Sequence, residues 1–224
     1  MLARLVARYG HIPVVIFALI GPVFLLVKEP YGTLERQRAT IAEVQRLFPE
    51  PAPYLSYSSY IPDYPRQFPS LISGVGLRRY WTERNGQIAR DIEAGRIAFV
   101  IATGDALDAV YNSTGSAAIL PPRDVAALRE NFLPYSDTIY ILGRTVCPQE
   151  GQQTVKIVRG GSYSLEGRGL VIDGRPLTNG TSVVLQAGVH EMKLEGGACV
   201  KLWALDQVPT LPDNFPSGPI AGGF

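Results

Sequence analysis

The sequence predicts a protein of mixed class: a single N-terminal transmembrane helix, a small α/β unit with a mainly parallel sheet, and an antiparallel β-sandwich. Three observations support this prediction. An uncharged apolar run lies near the N-terminus, helix-like and strand-like segments alternate in the middle of the chain, and short β-rich segments separated by glycines follow. We expect an N-terminal arm and anchor at residues 1–32, an α/β domain at 33–147, a β-sandwich at 148–206 and a Pro/Gly-rich tail at 207–224.

The apolar run begins at Ile12, ends at Val27 and contains no charged residue. At ~1.5 Å per residue it covers roughly 24 Å, a little less than the ~30 Å hydrocarbon core of a bilayer. Tyr9 and Tyr31 suit the two interfacial belts, and Lys28 can extend its charge towards water. A buried helix and a cleaved signal peptide are the alternatives, but the following segment KEPYGTLERQ offers no small-x-small cleavage site.

Basic residues lie on both sides of the apolar run, so the positive-inside rule does not orient it. We place the N-terminus inside, because its short arm is easily retained and the rest of the chain has the character of an exported protein. The expected location is the inner membrane of a bacterium, with a single span and the body in the periplasm.

The middle of the chain alternates between helical and strand-like patterns, as α/β units do. Residues 33–48 carry apolar side chains at helical spacing, and Pro49, Pro51 and Pro53 end that helix. The uninterrupted apolar segment IAFVIA suits a strand buried on both faces. The predicted elements are a helix at 33–48, a strand at 54–57, a Tyr/Pro-rich loop to residue 69, a helix at 87–94, a strand at 97–102, a helix at 122–132 and a strand at 138–146.

Helical periodicity disappears in the last third of the chain. Short β-rich segments there alternate with glycine turns, as in a compact antiparallel sandwich. The tail after Asp206 is rich in proline and glycine, which predicts an extended or flexible segment. The predicted strands are TVKIV, SYSL, LVIDG, TSVVLQAG, HEMKL and CVKLWAL.

The composition argues against several kinds of chemistry. The formal net charge of +1 and the lack of a basic run interleaved with aromatics speak against nucleic-acid binding. His11 and His190 are too few for a Ser/His/Asp triad or a histidine metal site, and His190 falls in a predicted hairpin. GLRRY, GDAL and GGS lack the spacing and the following Lys and Ser/Thr of a phosphate loop. We predict no cofactor and no metal.

Two groups of residues are candidates for ligand binding. Asp105 and Asp108 follow the buried strand, at the edge where open α/β sheets usually bind ligands, although helix capping and loop solvation are the alternative explanation. The second group consists of tyrosines, which could stack on sugar rings or meet a partner or the membrane interface, or else cover the α/β core. These tyrosines are Tyr54, Tyr57, Tyr60 and Tyr64.

Cys147 and Cys199 are the only cysteines of the chain. An oxidising compartment would allow one disulfide bond between the linker and the last sandwich strand. Because sequence alone does not establish the geometry that a disulfide requires, both the bonded and the free state stay open at this point.

Four segments together suggest a family: AFVIATGDAL, LPPRDVAALRENFLPYSDTIYILGRTV, YSLEGRGLVIDGRPL and VVLQAGVHEMKL. They resemble the C-terminal region of glycosyltransferases that use lipid-linked sugars, the dolichyl-phosphate-mannose mannosyltransferase-like and aminoarabinose-transferase-like group. The resemblance covers nearly the whole chain and implies a last transmembrane helix, a periplasmic α/β part and a terminal β-sandwich. In that family the acidic catalytic residue lies in the first extracytoplasmic loop of a many-helix core, so no catalytic residue carries over.

The chain starts at Met1, carries its own predicted transmembrane anchor and ends in a tail rich in proline and glycine, and these features favour a complete, non-catalytic protein. We expect a binding or scaffolding subunit of a larger membrane complex. Its helix would pack against integral membrane partners, and its body would cover them or bind a glycan or a lipid-linked sugar. The alternatives are a C-terminal fragment or accessory module of a membrane glycosyltransferase, and an exported carbohydrate-binding protein.

Overall fold

The fold is given by a computed structural model. None of the helices in the part of the chain that it describes is long and apolar enough to cross a membrane. The predicted anchor, with Tyr9, Ile12, Val27, Lys28 and Tyr31, lies outside the described residues. The structure describes residues 32–57, 60–67, 74–83, 85–103, 105–112, 119–148 and 153–216.

The first part of the described chain is an α/β region, as predicted. The strands expected around residues 54, 97 and 138 are confirmed, and the three expected helices begin and end within two residues of their predicted positions. The elements are α1 (Gly32–Leu47), β1 (Tyr54–Ser56), β2 (Arg66–Gln67), α2 (Gly74–Glu83), α3 (Gln87–Glu93), β3 (Phe99–Ile101), α4 (Asp105–Asn112), α5 (Pro122–Asn131), β4 (Phe132–Pro134) and β5 (Ile139–Val146).

The second part consists of strands, as predicted. Each of the six β-rich segments contains a strand, and the short strand β9 is an addition to them. Residues 39–224 form one compact unit, which holds these strands, and residues 1–38 form another. The strands are β6 (Gln153–Ile157), β7 (Gly161–Glu166), β8 (Leu170–Ile172), β9 (Arg175–Leu177), β10 (Ser182–Leu185), β11 (Gly188–Leu194) and β12 (Val200–Trp203).

The described strands form two sheets. The larger has eight strands in the order β10-β7-β12-β5-β3-β1-β2, with β4 also paired to β5. Only the pairs β1–β2 and β1–β3 are parallel, whereas β5 pairs antiparallel with β3, β4 and β12. The α/β sheet is therefore mixed rather than mainly parallel, because β4 and β5 form a hairpin that needs no crossover helix.

The smaller sheet has the order β6-β11-β8-β9, and all its pairs are antiparallel. Side chains from both sheets join one hydrophobic core, to which Leu165 and Leu202 contribute from the large sheet and Ile172 and Met192 from the small one. Two sheets that share a core in this way have the packing of a β-sandwich. One layer of it is an extension of the α/β sheet, since β5 pairs with β12 across the predicted boundary at residue 147.

The large sheet is covered on both faces in its α/β part. Leu55 and Val100 join the core formed with helices α3, α4 and α5, whereas Tyr54 and Phe99 join the core formed with α1 and the tail. Alternate side chains of β3 are therefore buried on opposite sides. This explains why the sequence around β3 is apolar at every position, as we predicted from its lack of alternation.

Helices α2 and α4 were not predicted from the sequence pattern. The α2 sequence GVGLRRYWTE contains two glycines in its first turn, and α4 has only eight residues. Short helices of this kind are stabilised mainly by tertiary packing rather than by propensity. Tyr80 of α2 and Leu107 and Val110 of α4 are buried in the core on the helical face of the sheet.

A buried polar network joins α2, α3 and α5. The Asp124 carboxylate of α5 accepts hydrogen bonds from the Tyr80 hydroxyl and from the backbone N–H of Ala89, both at 2.8 Å. The Tyr80 hydroxyl in turn accepts from the N–H of Ile88 at 2.8 Å. Gly86 provides no side-chain cap for α3, so side chains of two other helices satisfy the first-turn N–H groups.

The described part of the tail, residues 207–216, contains neither helix nor strand, in line with the predicted extended segment. Its Val208 and Phe215 pack against the core beneath α1. The carbonyl oxygen of Thr210 accepts hydrogen bonds from Arg46 at 3.1 Å and from the Tyr135 hydroxyl at 2.8 Å. The tail thus links α1 to the turn between β4 and β5.

Cys147 and Cys199 form a disulfide bond, which resolves the alternative left open by the sequence. Cys147 follows β5 and Cys199 precedes β12, and the adjoining residues Val146 and Val200 are paired in the antiparallel ladder. The bond therefore joins the two strands at which the α/β region and the sandwich share a sheet.

Candidate functional site

The tyrosines predicted as a binding surface are largely part of the core. Tyr54 has no exposed surface, its ring stacks on Phe99 at 5.2 Å, and its hydroxyl accepts from the N–H of Ile61 at 3.2 Å. The Tyr64 hydroxyl donates to the carbonyl oxygen of Phe48. Rings held in this way cannot stack on a ligand unless the core opens.

Tyr57 and Tyr60 are half-buried, and they pack against the cores on opposite faces of the sheet. Tyr60 thus lies on the same side of the sheet as Tyr54 and Tyr64, and Tyr57 lies on the other side. The alternative reading of the sequence, that these rings cover the α/β core, describes their placement in the structure.

The carboxylates predicted at the sheet edge lie on α4. Asp105 is the first residue of that helix, and its side chain lies outside the described part; Asp108 is exposed. Burial raises the pKa of Tyr140 to about 12, and the negative charges of Asp108 and Asp137 add to this effect. Among the described residues, no group of three or more His, Cys, Asp or Glu side chains is placed to hold a metal ion.

A cleft of roughly 550 Å³ lies near the N-terminal ends of β1 and β3, whereas Asp105 and Asp108 follow the C-terminal end of β3. Three distant segments form most of its wall: the end of α1 with the following proline-rich loop, the connection from β6 to β7, and the residues after β12. Its volume falls in the range of about 300–1,000 Å³ that small-molecule sites occupy. The lining consists of residues 47–52, Ala98, Leu142, residues 159–163 and residues 204–206.

Apolar and charged groups both line this cleft. Phe48, Leu142 and Tyr163 provide apolar surface, whereas Glu50 and Asp206 are exposed carboxylates. An aromatic or aliphatic wall with a few polar groups at defined positions is the usual composition of a ligand site. We call this cleft, which Arg159 also lines, the Arg159 cleft.

Arg159 is the cation of the cleft. Its Nη1 atom is shielded from solvent and has no hydrogen-bond partner in the part of the chain that the structure describes. A buried guanidinium N–H without an acceptor is costly, since the desolvation of a charged donor is not compensated. Arg159 as a whole is half-buried and lines the cleft, so a ligand would meet the accessible part of this side chain rather than Nη1.

Tyr163 fixes the backbone beneath Arg159. Its hydroxyl donates to the carbonyl oxygen of Arg159 at 2.7 Å. Burial raises the pKa of Tyr163 to about 12, although the positive charges of Arg159 and Arg144 act in the opposite direction. Tyr163 is thus a neutral hydrogen-bond donor at physiological pH, and it holds the arginine in place without ionising.

Glycines allow the connection from β6 to β7 to pass close to a neighbouring loop. A Cβ at Gly160 would lie 3.3 Å from the backbone nitrogen of Ala187, and Gly161 has φ of +154°, which residues with side chains rarely adopt. The string Arg-Gly-Gly-Ser at 159–162 does not match a phosphate loop. An arginine next to two glycines between strands was the signal available for this site.

His190, which the sequence placed in a hairpin, lies on β11 and contacts two acceptors. Its Nδ1 is 2.7 Å from the Asp173 carboxylate and its Nε2 is 2.9 Å from the carbonyl oxygen of Gln186. Burial acts to lower the pKa of His190, but these two hydrogen bonds outweigh it, so the pKa is raised. Asp173 and Gly174 both have positive φ in the two-residue turn between β8 and β9, so the contact fastens this hairpin to β11.

No protein-family model matches the chain, and comparisons with curated proteins and with solved structures found no match either. The glycosyltransferase resemblance drawn from the sequence therefore stays a prediction. The geometry and chemistry of the described residues are the basis on which a function can be proposed for this chain.

Proposed function

We propose that the chain is a membrane-anchored, non-catalytic binding protein whose extracytoplasmic body takes up a small hydroxylated ligand in the Arg159 cleft. The observation that carries this proposal is the cleft itself, with its apolar wall, its two exposed carboxylates and the half-buried Arg159. In a larger membrane complex, the predicted helix around Ile12 to Val27 would pack against integral membrane partners.

The disulfide bond supports the extracytoplasmic location. Disulfides form and persist in oxidising compartments such as the periplasm, and they are rare in the cytosol of most organisms. Cys147 and Cys199 are joined, and they are the only cysteines of the chain. A body placed outside the cytoplasmic membrane would keep this bond.

The chemistry of the cleft supports binding of a sugar or a related polyol. Carboxylates such as Glu50 and Asp206 accept hydrogen bonds from hydroxyl groups, and a guanidinium donates them. Aromatic surface, which Phe48 provides here, packs against the C–H faces of such rings.

The location is tested by fusing alkaline phosphatase, and separately a fluorescent protein, to the C-terminus of the full chain. Phosphatase folds actively only outside the bacterial cytoplasm, so we expect an active phosphatase fusion. The reverse result, an inactive phosphatase with a bright fluorescent fusion, would exclude the proposed orientation. Intact-mass measurement of the mature chain shows whether the N-terminal segment is retained.

Binding is tested with the full chain purified from native membranes in mild detergent and applied to a glycan array. We expect retention of specific sugars by the wild type and loss of this retention in Ala204→Trp, because Ala204 lines the cleft and an indole would fill it. Ala126→Trp is the matched control, since Ala126 is exposed on α5. A monomeric protein that retains no sugar, or equal binding by both variants, would refute the proposal.

A further inference from the structure

Strand β10 forms one end of the large sheet, and among the described strands it pairs only with β7. The end of a sheet presents unpaired backbone N–H and C=O groups, and proteins usually protect it with charge, proline or a very short strand. The other edge strands of the described part have such protection: β2 has two residues and contains Arg66, β4 contains Pro134, β6 contains Lys156 and β9 contains Pro176. The sequence of β10, Ser-Val-Val-Leu, has none of these features.

The register of β10 on β7 directs some of its backbone groups outwards. The N–H of Leu165 in β7 donates to the carbonyl oxygen of Thr181, just before β10, at 3.0 Å. Because the direction of these groups alternates along an antiparallel pair, those of Val183 face β7, whereas those of Ser182 and Val184 point away from it. Within the described part of the chain, no strand pairs with this outer side.

The side chains of β10 also suit a further strand. Leu185 is buried in the core between the two sheets, and Val183 packs against that core. Val184, on the opposite face, is 72% exposed although it is apolar. A second strand alongside β10 would cover part of Val184 and extend the core beyond Val183, because side chains of neighbouring strands pack against each other.

We propose that β10 is a dimer interface, at which two copies of this chain pair their β10 strands antiparallel about a two-fold axis. Residues 176–189 contain no Asp, Glu, Lys or Arg, so two identical edges do not repel each other. A different partner would be selected largely by complementary charge, for which this segment offers no group. The register that uses β10 residues alone pairs Ser182 of one copy with Val184 of the other, and each such pair exchanges its N–H···O bonds.

The proposed interface is small, and this sets its strength. The strand contributes four residues from each copy, which bury far less than the roughly 1,200 Å² of a stable interface. We therefore expect a reversible dimer with a dissociation constant in roughly the micromolar range or weaker. Two copies held in one membrane by the predicted N-terminal helix would meet at a raised effective concentration. The inference does not depend on a ligand in the Arg159 cleft.

The test is sedimentation equilibrium of the full chain in density-matched mild detergent, from micromolar to millimolar protein. We expect the wild type to dimerise as its concentration rises. Val184→Lys sets a charge beside its own copy and should weaken dimerisation by roughly tenfold or more. Val184→Pro should weaken it as well, because proline removes an outward N–H and no bond to β7. The matched control is Val189→Lys: Val189 is 68% exposed on β11, which has a partner strand on each side, and this variant should dimerise like the wild type.

Amide hydrogen exchange of the wild type gives a second readout that needs no variant. The amides of Ser182 and Val184 should become protected as the protein concentration rises, whereas the amide of Val183, which faces β7, should be protected at every concentration. Protection of Ser182 and Val184 that does not change with concentration would overturn the inference.

The variants are first shown to be folded by thermal unfolding. A wild type that stays monomeric at every concentration, or a Val184→Lys variant that dimerises like the wild type, would overturn the inference. A Val189→Lys variant weakened as much as Val184→Lys would do the same. A pure wild type that is monomeric, but that migrates in native-membrane extracts with a larger complex from which Val184→Lys is lost, would assign this edge to a different protein and so would also overturn self-pairing.

Discussion

Replacing Asp124 by alanine should destabilise the α/β region, because this carboxylate accepts two hydrogen bonds in a site with no exposed surface. The variant leaves the N–H of Ala89 and the hydroxyl of Tyr80 without their acceptor. Each of the two buried donors left unpaired costs about 1–3 kcal/mol, so the free energy of unfolding should fall by about 2–6 kcal/mol. Removing the buried charge also removes its desolvation cost, which places the value nearer the lower end.

Urea unfolding of the full chain in mild detergent measures this effect. Trp203 is buried and reports on the core, so its fluorescence should follow the transition. We expect Asp124→Ala to lower the midpoint without a change in the m value, because the surface exposed on unfolding stays the same. Asp124→Asn keeps one acceptor oxygen and should lose less. Glu83→Ala, which breaks an exposed pair with Arg79, should change the stability by less than about 1 kcal/mol.

A double-mutant cycle isolates the shared hydrogen bond. Tyr80→Phe should cost about 1–3 kcal/mol by itself, because it also leaves the N–H of Ile88 unpaired. In the Tyr80→Phe/Asp124→Ala double variant, the two losses should not add, since both single variants already remove the Tyr80–Asp124 bond. Strictly additive losses, or an Asp124→Ala variant as stable as the wild type, would refute the role of this network as the cap of α3.

Three further predictions concern the sandwich and the shared sheet. The pKa of His190 is raised in the folded state, so its contribution to stability is complete below about pH 6.5 and is lost as the pH rises through the folded pKa. The pKa of Asp173 is lowered in the folded state, so its contribution is complete above about pH 4 and is lost as the pH falls through the folded pKa. The stability difference between wild type and His190→Gln, from urea midpoints at several pH values, should therefore be largest between about pH 4 and 6.5, and a difference that does not change with pH would contradict the contact. Reducing the bond between Cys147 and Cys199, which closes a separation of 52 residues, should lower the free energy of unfolding by about 2–4 kcal/mol, as the midpoint with and without reductant shows. Gly143→Ala would place a Cβ against the backbone oxygen of Leu202 in β12, so it should lower the melting temperature or prevent folding, and a variant that melts like the wild type would contradict this close approach.

The elements that the sequence predicted correctly are those with strong local signals. The apolar run around Phe99, the prolines after α1 and the glycine turns between the sandwich strands each specify their conformation within a few residues. The mixed character of the sheet could not be predicted in this way. It depends on β5 running antiparallel to β3 and also pairing with β12, whose Val200 lies far in the sequence from its partner Val146. Hydrophobic pattern identifies strands, but it does not fix which distant strand becomes the neighbour.

The candidate site shows the same limit. Tyr54 and Tyr64 are aromatic residues in a proline-rich segment and so resemble a binding surface, but the structure uses their rings in the core and their hydroxyls to bond the backbone. Arg159 carried no pattern of its own, because its importance comes from two other segments that meet it at the cleft. Clefts made from separate segments become visible only once the chain is folded.

The most direct test of the binding function is a two-dimensional amide spectrum of the ¹⁵N-labelled full chain in mild detergent, recorded with and without a sugar that the wild type retains on the glycan array. Ligand in the cleft should shift the amide signals of Gly160, Gly161 and Ala204, and the signals of Tyr54 and Tyr64 should stay in place. Shifts confined to the region around residues 54–64, or an unchanged spectrum at millimolar ligand, would contradict the assignment of the binding site to the Arg159 cleft.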